Sequence, residues 1–543
     1  MSCCPGTGAR QKQWLRPEPL RPIKGPGADA YALSFDVASE IQHLREIVPD
    51  WNQNVAAEVT RSTESRGGWV RTDPEFGELL SIPLSDVLRT AAALDDRKGP
   101  VLVQRKPFVG LSGQRPVRAL MALKRFSGSQ EYLRWGWRIF LGSETRQSDR
   151  RRLVRVIGNE ILALAPATQI ELAGEVADWL GHVAAHLTRV DCALWDRLVK
   201  LCLKVFASDP QYQRSNIIRS DKEVDWVMDS INSAAGRLAK AMLDDTRLAK
   251  KPAGGGLPQP WLEHVEGLLK LPGQGRRFAL VTFGRSLNWF YWIAPSWTET
   301  NLLTSLSAAD PVDRDAFWSG FLFSNRIPTE ALYRRLKVEF LGLPQHTVSE
   351  QRDQGAQAAA ILLAGWASID KQTGSSFIAA DELRSVLVTA SDGFRSHVLW
   401  TIGRWIAGEK PKAPLKWSSL QIELLKTIWP KQRTVRSARV SSRLLDLAFA
   451  NPKLFPAMVE AILPLLGPID QEHISMPALY RDKDSFSSKH PDEVLAVLTT
   501  ILPENPGAWP YGIEGTFDKI QKANPKLAND PRLLKLLRRW DGR

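Results

Sequence analysis

The densest aromatic stretch of the chain lies at residues 288–343, and it constrains the fold more than any other segment. Its aromatic side chains suit helices that are buried on more than one face: Trp289, Phe290, Tyr291, Trp292, Trp297, Phe317, Trp318, Phe321 and Phe323. Asp310 is a good N-cap and Pro311 suits the first helical position, so one helix is predicted to begin there. A second is predicted from Pro328 to Gly342, where leucine or phenylalanine recurs every four residues. The short connection at 324–326 predicts antiparallel neighbours.

Paired helical patterns continue over much of the remaining chain. The clearest pair has apolar residues at helical spacing in 383–390 and 394–405, with a turn at 391–393 between them. One long helix is predicted over 222–243, whereas the apolar run at 101–103 is at most a short strand. The pairs recur at roughly 35 to 45 residues, as in HEAT-like arrays. The sequence therefore predicts an all-α fold, an irregular α-solenoid of helix pairs (HEAT-like) with no substantial sheet. Such folds usually bind rather than catalyse.

Changes in composition divide the chain into five predicted regions. Residues 1–30 are rich in proline, glycine and basic residues, which predicts a disordered basic arm. An N-terminal helical region follows at 31–249, and a Gly/Pro linker or loop at 250–260. The aromatic-rich helical centre then occupies 261–345, and a C-terminal helical-repeat region occupies 346–543.

The net charge and the cysteine spacing bear on the kind of partner and on the cellular compartment. A net charge of +13 over 543 residues permits contact with nucleic acid, but a protein with a basic surface is commoner than a dedicated nucleic-acid binder. The cysteines Cys3, Cys4, Cys192 and Cys202 have no CxxC spacing, so neither a zinc site nor a disulfide framework is predicted. Free thiols suit a reducing cytosol, so we expect a cytoplasmic protein. No apolar run reaches the roughly 18 residues of a membrane span, so no membrane partner is predicted.

Candidate catalytic and metal-binding residues are few. His182 and His186 are four residues apart on a predicted helix, but the pair lacks the glutamate of an HExxH motif and an obvious third ligand. The glycine-rich pieces at 6–8, 25–27 and 254–256 do not have the form of a phosphate-binding loop. No GxSxG motif occurs either. We therefore predict no catalytic residue, no cofactor and no metal, and a chain that is not an enzyme.

The best basic feature consists of four arginines: Arg433, Arg436, Arg439 and Arg443. Their spacing predicts that all four lie on one side of a helix that begins near Thr434. A stripe of this kind can contact an anionic partner such as a phosphate backbone. A solvated helix face is the commoner explanation of such a pattern. A second cluster, formed by 150–152 and Arg155, has the same two interpretations.

Four segments carry a family resemblance: PFVGLSGQRPVRALMAL from Pro107, LNWFYWIAPSWTETNLL from Leu287, DAFWSGFLFSNRIPTEALYRRLKVEFLGL from Asp315, and SARVSSRLLDLAFANPKLFPAMVEAILPLLGPI from Ser437. They resemble the C-terminal helical region, a domain of unknown function, of large bacterial proteins with a sirtuin-like domain at their N-terminus. The resemblance implies a role in anti-phage defence, in which the sirtuin-like domain consumes NAD. The helical region would sense phage and restrain that enzyme.

The chain departs from this family in residues 1–106, where no nucleotide-binding sheet with a glycine-rich turn and catalytic histidine is found. No catalytic residue of the family is therefore carried over. We expect the sensing or regulatory part alone, from a truncated gene or a split system. The predicted function is a non-enzymatic helical scaffold whose partner is an NAD-consuming effector or a phage protein. The alternative is a basic helical nucleic-acid-binding protein.

Overall fold

The structure, a computed structural model, describes residues 71–95, 103–217, 224–307, 310–346, 352–410, 416–470, 486–510 and 512–542. The predicted basic arm at 1–30 lies outside these residues. The chain forms two compact units, of which the first comprises Met1–Asp73 and Arg97–Arg105. Its described part is a pair of short parallel strands, β1 (Arg71–Asp73) and β2 (Val103–Arg105).

The second unit comprises Pro74–Asp96 and Lys106–Arg543, and its described part is helical. Its first thirteen α-helices are α1 (Val87–Asp95), α2 (Pro107–Gln114), α3 (Pro116–Arg125), α4 (Gln130–Leu141), α5 (Arg151–Ala163), α6 (Pro166–Val190), α7 (Cys192–Ser208), α8 (Trp226–Ile231), α9 (Ala234–Leu243), α10 (Gln259–Leu269), α11 (Gly273–Gly284), α12 (Leu287–Ile293) and α13 (Pro295–Asn301).

The remaining described α-helices are α14 (Pro311–Phe323), α15 (Glu330–Gly342), α16 (Arg352–Ala367), α17 (Ala380–Thr389), α18 (Asp392–Ala407), α19 (Trp417–Glu423), α20 (Ala438–Phe449), α21 (Phe455–Ile462), α22 (Phe486–Lys489), α23 (Pro491–Ile501), α24 (Ile513–Ala523) and α25 (Pro531–Asp541). A π-helical turn, Leu424–Ile428, continues α19. Short 3-10 helices connect other elements: Gly77–Leu79, Glu144–Ser148, Pro210–Gln213, Thr246–Leu248, Leu303–Leu306, Leu343–Gln345, Arg433–Val435, Leu463–Leu465, Pro506–Ala508 and Pro525–Asn529. The predicted all-α fold class is confirmed.

Most helices of the second unit stack in two rows. In the first row each helix packs on the next, in the order α4, α6, α9, α11, α14, α16, α18 and α20. The second row contains α5, α7 and α10, and later α15, α17, the π-helical turn, α21 and α23. Successive helices tend to alternate between the two rows.

The helix boundaries follow the capping residues in the sequence. The Asp310 carboxylate accepts a hydrogen bond from the Val312 N–H at 2.9 Å, and α14 begins at Pro311, as predicted. Ser391 caps α18 in the same way, accepting from the Phe394 N–H at 3.1 Å. The prediction for the second aromatic helix is correct at its end, Gly342, but α15 begins at Glu330 rather than Pro328. Helices α14 and α15 contact through the rings of Trp318 and Phe340, whose centroids are 6.1 Å apart.

The prediction of one long helix over 222–243 is wrong. The described part is divided into α8 and α9 at Asn232 and Ser233. The Ser233 hydroxyl accepts a hydrogen bond from the Gly236 N–H at 3.0 Å, so it starts a new helix. A Cβ atom at Gly236 would lie 2.0 Å from the Ser230 carbonyl oxygen, so only glycine permits this close turn.

The Gly/Pro segment at 250–260 is held against α12. The Gly254 and Gly256 N–H groups donate to the Trp292 and Ile293 carbonyl oxygens, each at 3.0 Å. Both glycines have positive φ, +67° and +70°, which side chains other than glycine rarely adopt. The segment is therefore a loop of defined conformation, and its N–H groups satisfy carbonyl groups at the C-terminal end of α12.

Candidate functional site

One face of the first row carries a groove made of two adjoining cavities. The larger, which we call the α9 cavity, has a volume of about 950 Å³ and is lined by residues of α6, α8, α9 and α11. The smaller, the α16 cavity, has a volume of about 450 Å³ and is lined by residues of α14, α16 and α18. Phe323, the last residue of α14, lines both. The two cavities together form the groove.

The α9 cavity has an apolar floor and charged walls. Val227 and Val281 are buried beneath it. The Arg237 guanidinium pairs with the Asp178 carboxylate, and the Lys240 ammonium lies 2.6 Å from the Asp244 carboxylate. Burial raises the pKa of Asp178 above its ordinary value, although the neighbouring Arg237 charge opposes this effect. These ion pairs shape the wall of the cavity.

The α16 cavity exists because its floor is made of small side chains. Ala356 and Ala360, one helical turn apart on α16, leave the space that larger residues would fill. Trp400 and Trp405 of α18 form one wall, and Phe323 lies at the other side. Phe323 is 41% exposed, so part of its ring is open to solvent or a partner. The cavity is an apolar, aromatic-walled space of ligand size.

Gln354 gives this apolar cavity a polar group. Its side chain is 7% exposed and lines the cavity, and its Oε1 atom has no hydrogen-bond partner within the described residues. The neighbouring Gln357 differs, because its Nε2 donates to the Arg326 carbonyl oxygen at 2.8 Å. A buried amide oxygen without a partner costs free energy, so Gln354 is the polar group best placed to meet a ligand.

Two arginines lie over aromatic rings along the groove. The guanidinium carbon of Arg285 is 5.1 Å from the ring centroid of Phe323, and that of Arg404 is 4.8 Å from the ring centroid of Trp400. Both arginines are exposed at the surface. Cation–π contact holds each side chain in place while its N–H groups stay available to solvent or a partner.

The four predicted anion-contacting arginines do not share one helix. The helix begins at Ala438 rather than near Thr434, so Arg433 and Arg436 precede it and only Arg439 and Arg443 lie on α20. Arg436 is half-buried and donates to the Lys431 carbonyl oxygen at 2.9 Å, and Arg443 pairs with Asp446 at 3.0 Å. The physical reason is the Ser437 hydroxyl, which caps α20 by accepting from the Val440 N–H at 3.3 Å. Arg433 and Arg439 remain exposed.

The second basic cluster lies at the start of α5. Arg155 pairs with Asp191 at 3.1 Å. Arg150 and Arg152 line a cavity of about 580 Å³ beside α3. That cavity is separate from the groove and shares none of its lining residues.

The two histidines with the spacing of metal ligands lie in different environments. His182 lines the α9 cavity, whereas the Nε2 atom of His186 is buried without a partner in the described chain. Over the same residues, no group of three or more histidine, cysteine, aspartate or glutamate side chains is arranged to hold a metal ion. None of the helices described is both long enough and apolar enough to cross a membrane.

A buried polar network joins α7, α10 and the connection after α9. This network was not predicted from the sequence. Asp196 Oδ1 lies 2.9 Å from His264 Nε2, and Arg247 contacts both Asp196 and Asp245. Burial alone would raise the pKa of Asp196, but hydrogen bonds from His264 and Arg247 outweigh it and lower that pKa. The network satisfies its own charges, so it fastens three elements and is not a second candidate site.

The residues that line the groove were also not predicted as a site from the sequence. Gln354 is far in sequence from Trp400 and Arg404, which lie one turn apart on α18, and the three follow no motif. The available signal was the alanine-rich pattern of α16, in which Ala356 and Ala360 occur at helical spacing beside a glutamine. Alanines at such positions also occur at close helix packing, so the pattern alone does not indicate a cavity.

Comparison with known proteins gives one relative. The "Uncharacterized protein y4cA" of Sinorhizobium fredii is 23% identical over 510 residues, which are 91% of this chain and 39% of that protein. The chain therefore spans about two fifths of the length of the relative it matches. No protein family matches the sequence, and no solved structure matches it.

Proposed function

We propose that the protein is a non-enzymatic, cytoplasmic helical scaffold whose groove holds an extended segment of a partner protein. The observation that carries this proposal is the groove itself, in which two cavities adjoin along one face of six stacked helices. Long surfaces built from stacked helices are suited to binding elongated partners.

The dimensions of the groove support an extended segment rather than a compact domain. It runs from α6 through α9, α11, α14 and α16 to α18. Packed helix axes are roughly 8–10 Å apart, so five steps along a straight row would span roughly 40–50 Å. An extended chain rises about 3.3 Å per residue, so the groove accommodates roughly 12–15 residues.

The composition of the groove also supports a protein partner. Trp400, Trp405 and Phe323 supply large apolar contact areas, and Arg285 and Arg404 supply donors held over aromatic rings. Tryptophan and arginine are among the residues that contribute most to the affinity of protein interfaces. Exposed apolar side chains beside a cavity mark interaction sites on folded proteins.

We place this scaffold in a bacterial anti-phage defence system related to sirtuin-like NAD-consuming proteins. The resemblance of the four segments to the helical region of such proteins supports this placement. The relative in Sinorhizobium fredii, of which the chain matches 39%, supports a setting within a longer protein or a split system. The partner would be an NAD-consuming effector or a phage protein.

The test is affinity capture from bacteria before and after phage infection, with three versions of the full chain. Ala360→Phe places a ring in the floor of the α16 cavity. Val338→Phe places the same ring on α15 of the second row, where Val338 is 78% exposed, and serves as the control. We expect a discrete protein to be captured by the wild type and by Val338→Phe, and to be lost with Ala360→Phe.

Two results would contradict the proposal. Capture of the same protein by Ala360→Phe at the wild-type level would place the contact outside the groove. Nucleic acid that is released by moderate salt, with no protein partner, would support the alternative nucleic-acid-binding function. In that case, substitution of the exposed Arg433 and Arg439 should reduce the salt dependence of binding.

A further inference from the structure

The α16 cavity combines features that restrict what it can bind. Its floor and walls are apolar, and its one buried polar atom without a described partner is Gln354 Oε1. A leucine at position 354 would fill a similar volume without an unsatisfied amide. An amide oxygen in such a place gains most when a ligand brings a hydrogen-bonding group to it.

The charges around the cavity favour a neutral ligand group. Asp353 and Arg404 both line it, and both are exposed at its edge. A charged ligand group of either sign would be attracted by one of these two side chains and repelled by the other, so neither sign is favoured. The two formal charges cancel, so an uncharged group enters with the least electrostatic cost.

The shape and the walls favour an aromatic ring. Trp400, Trp405 and Phe323 offer faces and edges for ring contacts, and about 450 Å³ is ample for one ring. Ile327, 43% exposed at the edge of the cavity, adds an apolar side chain that a ring would cover. An amide side chain presents either its oxygen or its nitrogen when it turns about its last bond, and a phenolic hydroxyl both donates and accepts. A phenol is therefore matched to Gln354 in either orientation, whereas an indole N–H is matched to only one.

We propose that the α16 cavity is the anchor pocket for a tyrosine side chain of the partner protein, with the phenolic hydroxyl hydrogen-bonded to the Gln354 amide. This inference rests on the proposed protein-binding function and specifies which residue of the partner enters the groove. The ring lies between the alanine floor and the aromatic wall of α18. Tyrosine suits this role because its body is apolar and its tip is polar.

The test uses p-cresol, which reproduces the tyrosine side chain, and toluene, which lacks the hydroxyl. Both are titrated against the full chain, and binding is measured by saturation-transfer NMR. The difference in hydration between the two probes is the same for every protein variant. The ratio of the toluene Kd to the p-cresol Kd, compared between variants, therefore isolates the hydrogen bond to residue 354.

Gln354→Leu is expected to lower this ratio roughly tenfold, as for the loss of a buried hydrogen bond. Gln421→Leu is the matched control, because Gln421 is also buried and its Oε1 has no partner among the described residues, but it does not line the cavity. It should leave the ratio unchanged. Ala360→Phe should abolish binding of both probes, which locates their binding in the α16 cavity independently of Gln354.

An unchanged ratio in Gln354→Leu, or an equal fall in Gln421→Leu, would overturn the tyrosine assignment. Failure of both probes to bind the wild type at millimolar concentration would also overturn it. These results are distinct from failure of the proposed function, since a partner captured through the groove would still be lost with Ala360→Phe.

Discussion

Replacement of Gly320 by alanine tests how the aromatic centre is packed. A Cβ atom at this position of α14 would lie 2.0 Å from the Val281 carbonyl oxygen and 2.7 Å from the Val281 carbonyl carbon, both backbone atoms of α11. Cβ contacts shorter than 3.0 Å essentially never occur, so the two helices would have to separate by roughly 1 Å or more. Separation would loosen the rings of Phe317 and Trp318, which are buried on α14.

The magnitude follows from two opposing effects. Inserting a methyl group into a packed interface costs about 1–3 kcal/mol. Alanine in a helix is more favourable than glycine by about 1 kcal/mol, which offsets part of that cost. Because the clashing atoms are backbone atoms, which cannot rotate away, the cost lies at the upper end of its range. We therefore expect Gly320→Ala to lower the local free energy of unfolding by about 2 kcal/mol, a factor of roughly 30 in the population of the open state.

Hydrogen exchange measured by mass spectrometry on the full chain localises this effect. Peptides from α11 and α14 should exchange faster in Gly320→Ala, whereas those from α24 should not change. Gly181→Ala is the control, because Gly181 lies inside α6 and a Cβ atom there meets nothing within 4 Å. That control should be neutral or slightly protective. Equal or slower exchange in α11 and α14 of Gly320→Ala would refute the close helix approach.

Two further predictions concern ionisation. Hydrogen bonds from Arg334 and the Gln372 N–H lower the pKa of Asp370 below its unfolded value, so its stabilising effect is present above about pH 4 and is lost as pH falls through the folded pKa. Asp370→Asn should therefore lose less thermal stability than the wild type between about pH 5 and pH 3. Asp381→Asn, at an exposed site, serves as its control, and parallel curves for Asp370→Asn and wild type would contradict the assignment. Burial raises the pKa of Cys202 to about 12, so iodoacetamide at about pH 8 should alkylate it in urea but not in the folded protein. Peptide mapping measures the labelling of each cysteine separately. If Cys202 of the folded protein were labelled as fast as half-buried Cys192, its thiol would be accessible and the prediction would be wrong.

The helices that could be predicted are those whose signals are local. Asp310 and Ser391 cap their helices through bonds to residues two or three positions ahead. The predicted start at 311 is confirmed, whereas the helix predicted from Phe394 begins at Asp392, inside the predicted turn. The break at Ser233 was missed, because serine also occurs within helices. A start there is decided by the close turn at Gly236.

The candidate site was less predictable than the fold. The arginine stripe was proposed from spacing alone, and that proposal assumed a helix that begins near Thr434, whereas the observed helix begins at Ala438, after Arg433 and Arg436. The groove was not found from the sequence, since its residues come from seven helices and no motif links them. Gln354 has no distinguishing neighbours in the sequence, and only the packing of α14 and α18 around α16 buries it with an Oε1 atom that has no partner in the part of the chain that the structure describes.

By itself, the sequence determined that this chain is helical and where many of its helices begin and end, because apolar periodicity and capping act over a few residues. It also determined that the helices of residues 288–343 carry the densest group of large aromatic side chains. The tertiary structure alone decided which helices stack in the first row, where Gly320 brings α14 against α11, and which small side chains leave a cavity open. Those outcomes depend on contacts between residues distant in sequence, for which local pattern carries no information.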